Sequence, residues 1–309
     1  MRDRMFRGIF RKVVFVSALA LLQAIPQAEV NAKSSAAGLP SVAVGAQYDT
    51  THVYIAAADF DAFVNSFTAT FGGKPSPRGT ANVLPVPSST ELQYVWTPAG
   101  TLSTFAFSTP IPYPYGEERT GYLVTDIDKA MAAARAAGAE VIVDKFRDPI
   151  GLDAVIQWPG GVKMQLYWHD TAPSYASLDT IPDNRVYVSR DTVNLFVRDF
   201  LRFAHGKVVL DDAHAPGIEI GNPNITYRSI SIESRFGKMN VLVTDGHLPY
   251  PFGREMTGYE VADLPNTLDK AKASGAKVLV APFTSRGRQA AFVQFPGGYI
   301  AEIHASNGR

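Results

Sequence analysis

Cysteine is absent from all 309 residues of the chain. That excludes disulfides, thiolate metal sites, cysteine nucleophiles and lipid attachment through sulfur. An excess of one charge is absent too. The 29 basic and 29 acidic residues give a formal net charge of +0, so nothing electrostatic calls for nucleic acid or an anionic membrane as a partner. There is no glycine-rich phosphate loop and no nucleophile elbow, so hydrolase triads have no support. What is present is ordinary. With 46% hydrophobic and 19% charged residues the composition is that of a globular protein, and the length suggests about two domains.

The first stretch reads as a targeting signal. Arg2, Arg4, Arg7, Arg11 and Lys12 precede the apolar run Val13–Leu22, and Pro26 and Val30-Asn31-Ala32 follow it. Charged, then apolar, then small is the order of a secretory signal. The run is ten residues, half of the roughly 20 that a membrane-spanning helix needs. Residues 1–32 are therefore expected to be cleaved. The product is expected to be periplasmic or secreted, slightly acidic, and without stable membrane insertion. Residues 33–46, small and polar, read as a flexible leader.

The remainder is a duplication. Tyr113-Pro-Tyr-Gly-Glu-Glu-Arg-Thr-Gly-Tyr122 returns as Tyr250-Pro-Phe-Gly-Arg-Glu-Met-Thr-Gly-Tyr259, an offset of 137. The offset persists through Gly138-Ala139 and Gly275-Ala276, and through Pro159-Gly160-Gly161 and Pro296-Gly297-Gly298. Earlier, Phe63, Phe67, Gly73 and Lys74 match Phe196, Phe200, Gly206 and Lys207 at offset 133, so the second copy holds four extra residues between these blocks. The expected copies span 47–170 and 183–306, joined by a linker at 171–182 rich in Ser, Pro and Ala.

Each copy divides again. In the first, a strand over Thr51–Ala57 leads to Asp59 as a helix cap. Phe60, Phe63, Val64, Phe67 and Phe71 then recur at helical spacing until Gly72-Gly73. Strands at Leu92–Trp96 and Thr101–Phe107 follow. The second half repeats the order: strand Gly121–Val124, cap Asp126, helix Ile127–Ala137, C-cap Gly138, then strands Glu140–Asp144, Asp153–Gln157 and Lys163–Trp168. Each half reads βαβββ, so the chain holds four such modules. Strand residues alternate faces. Ile300, Glu302 and His304 share one face of the last strand, and Lys163, Gln165 and Tyr167 share one face of its counterpart.

Four βαβββ modules resemble the vicinal oxygen chelate superfamily, which includes glyoxalase I, bleomycin-resistance proteins and extradiol dioxygenases. Gly121-Tyr-Leu-Val-Thr-Asp-Ile-Asp128 with Gly138-Ala139 is similar to the family's second-module opening, and Gly258-Tyr-Glu-Val-Ala-Asp263 with Gly275-Ala276 repeats it. Trp158-Pro-Gly-Gly-Val-Lys-Met-Gln-Leu166 and Phe295-Pro-Gly-Gly-Tyr-Ile-Ala-Glu-Ile303 are similar to its closing turn and last strand. The resemblance implies an α+β fold of two glyoxalase-like domains with cup-shaped mixed sheets. It also implies a small organic ligand, bound by a monomer or homodimer.

The resemblance further implies where a metal would sit: a His on a module's first strand and a Glu on its last, donors that suit Fe, Mn, Ni or Zn. His52 holds the first-strand position of module one. Arg119, Arg185 and Met256 hold it in modules two, three and four. The last-strand position is Gln165 in module two and Glu302 in module four. No single copy holds a full set. If module one pairs with module four, His52 meets Glu302, with His304 beside it, as metal ligands, and Glu302 doubles as a catalytic base. Arg119, Arg185 and Gln165 would then gather in the other cup to bind a carboxylate or phosphate. The repeated loops supply Tyr113, Tyr115, Tyr250 and Phe252 as rigid contacts that either rim the cups or pack between domains. Three functions follow: a metal-dependent lyase, isomerase or dioxygenase; a metal-free binding protein that sequesters a small molecule; and a structural protein with degenerate cups.

Overall fold

The computed structural model describes residues 38–306 except 84–85, 114 and 117–119. The signal segment 1–32 and Arg119 lie outside the described residues. The first repeat runs β1 (Thr50–Tyr54), α1 (Phe60–Phe71), β2 (Lys74–Pro75), β3 (Gly79–Val83), β4 (Ser88–Thr97) and β5 (Gly100–Phe107). It continues with β6 (Thr120–Leu123), α2 (Ile127–Ala137), β7 (Glu140–Arg147), β8 (Gly151–Gln157) and β9 (Lys163–His169). The second runs β10 (Asp183–Val188), α3 (Val193–Ala204), β11 (Lys207–Pro216), β12 (Thr226–Ser234) and β13 (Gly237–Val243). It closes with β14 (Met256–Glu260), α4 (Leu264–Ala273), β15 (Lys277–Ser285), β16 (Arg288–Gln294) and β17 (Ile300–Ser306). These are the four βαβββ modules, with β2 and β3 sharing one strand's place on β4.

The helix boundaries follow local chemistry. Asp126 caps α2 by accepting a hydrogen bond from the Lys129 amide at 3.0 Å, and Gly138 ends it at φ 116°. Asp263 caps α4 in the same way through the Asn266 amide at 2.9 Å. Asp59 stands at the start of α1 but makes no side-chain cap bond. There the aromatic stripe holds the helix instead: Phe60, Phe63, Val64 and Phe67 are buried, each ring contributing roughly 1.5–3 kcal/mol.

Each repeat makes one mixed sheet. In the first the order is β2-β4-β5-β1-β6-β9-β8-β7, and in the second β11-β12-β13-β10-β14-β17-β16-β15. The modules of a repeat join edge to edge. β1 pairs antiparallel with β6, and β10 with β14. Module one therefore shares a sheet with module two, and each cup belongs to one repeat. The expected cup between modules one and four does not form.

Modules one and four do meet, on the opposite face. Phe60, Phe63 and Phe67 of α1 share a core with Leu264, Leu268 and Ala271 of α4 and with Ile303. The second core sets Phe196, Phe200 and Phe203 of α3 against Ala130, Ala133 and Ala134 of α2. Bulky helices thus pack on small-residue helices of the other repeat, which lets the elements approach closely and fill space. The seam between the sheets is polar: Thr51 and Thr257 hydroxyls lie 3.2 Å apart, and Thr120 donates to Asn184 Oδ1 at 2.7 Å.

One connecting segment departs from expectation, and the other is held by aromatic packing. The later part of the expected flexible leader is built into the fold. Val42 and Ala43 are 2% and 3% exposed, and Val44 N donates to Leu123 O at 3.1 Å. Their apolar side chains are buried against α2, which explains why this stretch is ordered. In the 171–182 segment, Tyr175 packs against Tyr94 and Trp96, with ring centroids 6.3 and 6.1 Å away. Burial pushes the Tyr175 hydroxyl pKa up to about 12.

Candidate functional site

The cup of the first sheet encloses a cavity of about 150 Å³. Alternation along β1 sends Val53 into the helix core and turns Thr50 and His52 to the cavity. His52 is 2% exposed and meets the edge of Phe105 at 5.7 Å and 82°. Phe105 in turn stacks on Tyr54 at 5.3 Å. Phe107, Tyr115 and Phe146 continue the aromatic wall, with centroid spacings of 5.8 and 6.4 Å. On the far side β9 presents Gln165, Tyr167 and His169, while Met164 and Leu166 turn to the helices.

A glycine makes this geometry possible. A Cβ on Gly121 would lie 2.6 Å from His52 Nε2 and 2.9 Å from Tyr167 Cε1. Only a bare backbone on β6 lets the two rings sit side by side. Tyr167 donates its hydroxyl hydrogen bond to the Tyr48 carbonyl, and burial pushes its pKa well up. Gln165 is 8% exposed and lines the cavity without a side-chain hydrogen bond to any described residue.

Two carboxylates belong to the same wall. Asp153 on β8 is 7% exposed and stands across from Tyr167. Asp148 accepts the Ile150 amide at 3.0 Å, yet burial outweighs this bond and raises its pKa. Burial lowers the pKa of His169, with the nearby Asp148 opposing the shift. Neither carboxylate, nor His169, is among the residues singled out from the sequence. The signal for Asp153 was strand alternation, which puts it on the face that looks toward Gln165, while Asp148 lies in the turn between β7 and β8.

The second cup is filled by its own side chains. Arg185 and Glu302, each 1% exposed, form a close ion pair. Arg288 Nη2 reaches the other Glu302 oxygen at 2.9 Å, and His304 Nδ1 lies 3.2 Å from it. Burial alone would raise the Glu302 pKa, but Arg185, Arg288 and His304 overcome it and hold the carboxyl well below its ordinary range. Burial would lower Arg185, and Glu302 more than reverses that. A second ion pair joins Glu219 to Arg286, whose Nε donates at 2.8 Å. Tyr227 adds its hydroxyl to Glu219 at 2.6 Å.

Apolar groups close what remains. Phe252 is 8% exposed and meets Phe292 at 4.9 Å, beside Met256. Glu219 comes from the turn Gly217–Ile220. That turn lies between Lys207 and β12, the stretch where the second copy carries its four extra residues.

The expected site residues therefore separate. His52, Gln165 and Tyr115 meet in the first cup. Arg185, Glu302, His304 and Phe252 are buried in the second. Tyr113 and Tyr250 are 64% and 58% exposed, under Lys163 and Arg254 respectively. The trio His52, Glu302 and His304 is not assembled, because β1 and β17 belong to different sheets. Of the expected anion-binding group, the described members Arg185 and Gln165 do not meet, because Arg185 faces Glu302 in the second cup.

Neither donor set fits a divalent metal. The first cup holds His52, His169, Asp148 and Asp153 around the neutral amide of Gln165, but no three of these imidazoles and carboxylates converge to hold an ion. The second offers a carboxylate already gripped by two guanidiniums, which would repel a dication. Among the described residues no group of three or more His, Asp and Glu is placed to hold a metal ion.

No family model matches the chain, and no curated protein matches it. Solved structures do. A variant of 4-hydroxymandelate synthase from Streptomyces coelicolor superposes with a TM-score of 0.57 at 12% identity, covering 87% of this chain and 93% of that one. A variant of homoprotocatechuate 2,3-dioxygenase from Brevibacterium fuscum gives 0.54 at 13% identity, over 87% and 73%. The Mn(II)-bound glyoxalase from Novosphingobium aromaticivorans gives 0.50 at 12%, over 88% and 83%. The chain has the vicinal oxygen chelate fold. Likeness at this identity speaks for fold alone, since one fold hosts many chemistries.

Proposed function

We propose that the protein binds a small organic molecule in the first cup without a metal. The observation that carries this reading is the cavity of about 150 Å³, the size of one that takes up a benzene ring. It combines aromatic walls with a few convergent polar groups, the usual make-up of a ligand site. Gln165, in its lining, offers one donor group and one acceptor. The filled state of the second cup supports a single ligand site per chain. The donor chemistry of both cups favours binding over a metal-centred lyase or dioxygenase reaction.

Calorimetric titration with indole, a neutral ring of suitable size, tests the reading. The parent protein is expected to bind it. Ser103→Trp, which places a large side chain beside His52 in the register of β1 and β5, is expected to abolish binding while the fold is retained by circular dichroism. Equal binding by parent and variant would place the ligand elsewhere and defeat the proposal.

We also read residues 1–32 as an export signal, on the order of their cations, apolar run and small residues. Among the described residues no helix is long and apolar enough to cross a membrane. Amino-terminal sequencing of the protein recovered outside the cytoplasm is expected to start near residue 33. Recovery from the cytoplasm with Met1 retained would count against export.

A further inference from the structure

We propose that β11 joins two copies of the chain edge to edge, about a two-fold axis at Val209. The proposal is independent of the first cup and its ligand. It starts from a strand that the fold leaves uncovered. β11 ends the strand order of the second sheet, so among the described residues one of its two edges has no neighbour. Such an edge is an open template for another strand, and proteins commonly blunt it with prolines or charges.

The first repeat shows the blunted form. At offset 133, Lys74-Pro75-Ser76-Pro77-Arg78 matches Lys207-Val208-Val209-Leu210-Asp211. Proline cannot donate to a ladder, and the first copy's edge is broken into the short strands β2 and β3 where Pro75 and Pro77 stand. In the second copy Val208 and Leu210 hold those places, and β11 runs on for 10 residues.

The side chains of that run are in solvent. Val208, Val209 and Leu210 are 39%, 45% and 45% exposed. Regular alternation would turn every second one to the opposite face. A bulge between Val208 and Leu210 in the ladder with β12 breaks the alternation, so three apolar side chains in a row stand uncovered. Contiguous exposed apolar groups rimmed by charge mark an interaction surface.

The charges select a second copy as the cover. In an antiparallel pairing that crosses at Val209, Val208 of each copy meets Leu210 of the other, and Lys207 of each meets Asp211 of the other. The two-fold makes each contact twice. Opposite charges set directly across a strand pair stabilise it, and like charges destabilise it. Within one copy Lys207 Nζ lies 3.7 Å from Glu233 Oε2, and Arg228 Nη2 lies 2.7 Å from Asp211 Oδ2. The junction therefore extends an existing alternation of sign from sheet to sheet. The formal net charge of +0 adds no overall repulsion between copies.

Sedimentation velocity on the purified protein tests the pairing. The parent is expected to sediment as a dimer at micromolar concentration. Val209→Lys sets two ammonium groups against each other at the axis and is expected to give a monomer with an unchanged circular dichroism spectrum. Lys207→Asp and Asp211→Lys each place like charges together at both contacts. Each is expected to weaken self-association about tenfold, the scale of several exposed ion pairs reversed at once. An equal mixture of these two variants restores opposite charges at both contacts, and is expected to form a mixed dimer about as strong as the parent's. That rescue keeps the test decisive if Val209→Lys does not fold, because the charge variants alter only surface side chains. A monomeric parent, open-ended assemblies, or a dimer that Val209→Lys leaves intact would overturn the proposal. So would a mixture that associates no more strongly than its components.

Discussion

Where the first cup sets His52 near Gln165, the second sets Arg185 against Glu302 in an ion pair 1% exposed. Where the first leaves Tyr115 on the wall of a cavity, the second drives Phe252 against Phe292. The backbone around these residues is the same: a parallel pair, β6 with β9 or β14 with β17, beside a first strand joined antiparallel. One duplicated scaffold therefore holds an open site and a closed one. Four extra residues in the second copy help to close it, through the turn that carries Glu219. Closing a cup with charge requires that each charge find a partner, because an unpaired buried ion is far more costly than an empty pocket. The second cup meets that condition twice, at Arg185–Glu302–Arg288 and at Arg286–Glu219–Tyr227.

Breaking this contrast should give its largest effect at Glu302. Glu302→Gln leaves Arg185 buried without its counter-ion and is expected to lower stability by about 3–5 kcal/mol, measured by urea unfolding at neutral pH. The matching change in the first cup, Gln165→Leu, removes an amide that bonds no described residue. It is expected to shift stability by less than about 1 kcal/mol. The two effects separate again with pH. Glu302's folded pKa is depressed, so its stabilisation is present above the ordinary Glu value of about 4.3 and is lost as pH falls through the folded value. The parent and Glu302→Gln should converge only in strong acid. Convergence already near neutral pH would mean that the ion pair does not act as described.

A smaller effect should distinguish the two matched glycines. Gly121→Ala puts a methyl 2.6 Å from His52 Nε2 and is expected to cost about 1–3 kcal/mol as the rings shift. It should also weaken indole binding. Gly258→Ala meets nothing closer than 3.4 Å and should change stability by no more than about 0.5 kcal/mol. Equal costs would mean that the close packing around His52 is not a special property of the first cup.

Much of this fold was legible in the residues. The offsets of 133 and 137 and the two-residue alternation of the strands were enough for four modules and for the faces of β9 and β17. The partner of each module was not legible, because edge pairing between β1 and β6 rests on backbone hydrogen bonds that no motif records. A clue lay in side-chain size. Phe-rich α1 and α3 need small-residue partners, and Leu/Ala-bearing α4 and Ala-rich α2 supply them. That complementarity joins modules one and four through their helices, whereas the cup expected between them does not form. Arg185 and Glu302 were both singled out from sequence, but for opposite cups. Their attraction became visible only once β10 and β17 were seen in one sheet. Asp153 had no motif to mark it.

The most direct test is a proton NMR titration of the imidazoles with indole. His52 lies in the open cup and His304 in the closed one, so each reports on its own site. The His52 ring signals are expected to shift progressively to saturation while those of His304 stay fixed. Movement of His304 with His52 unchanged would show the second cup to be the ligand site and reverse the comparison.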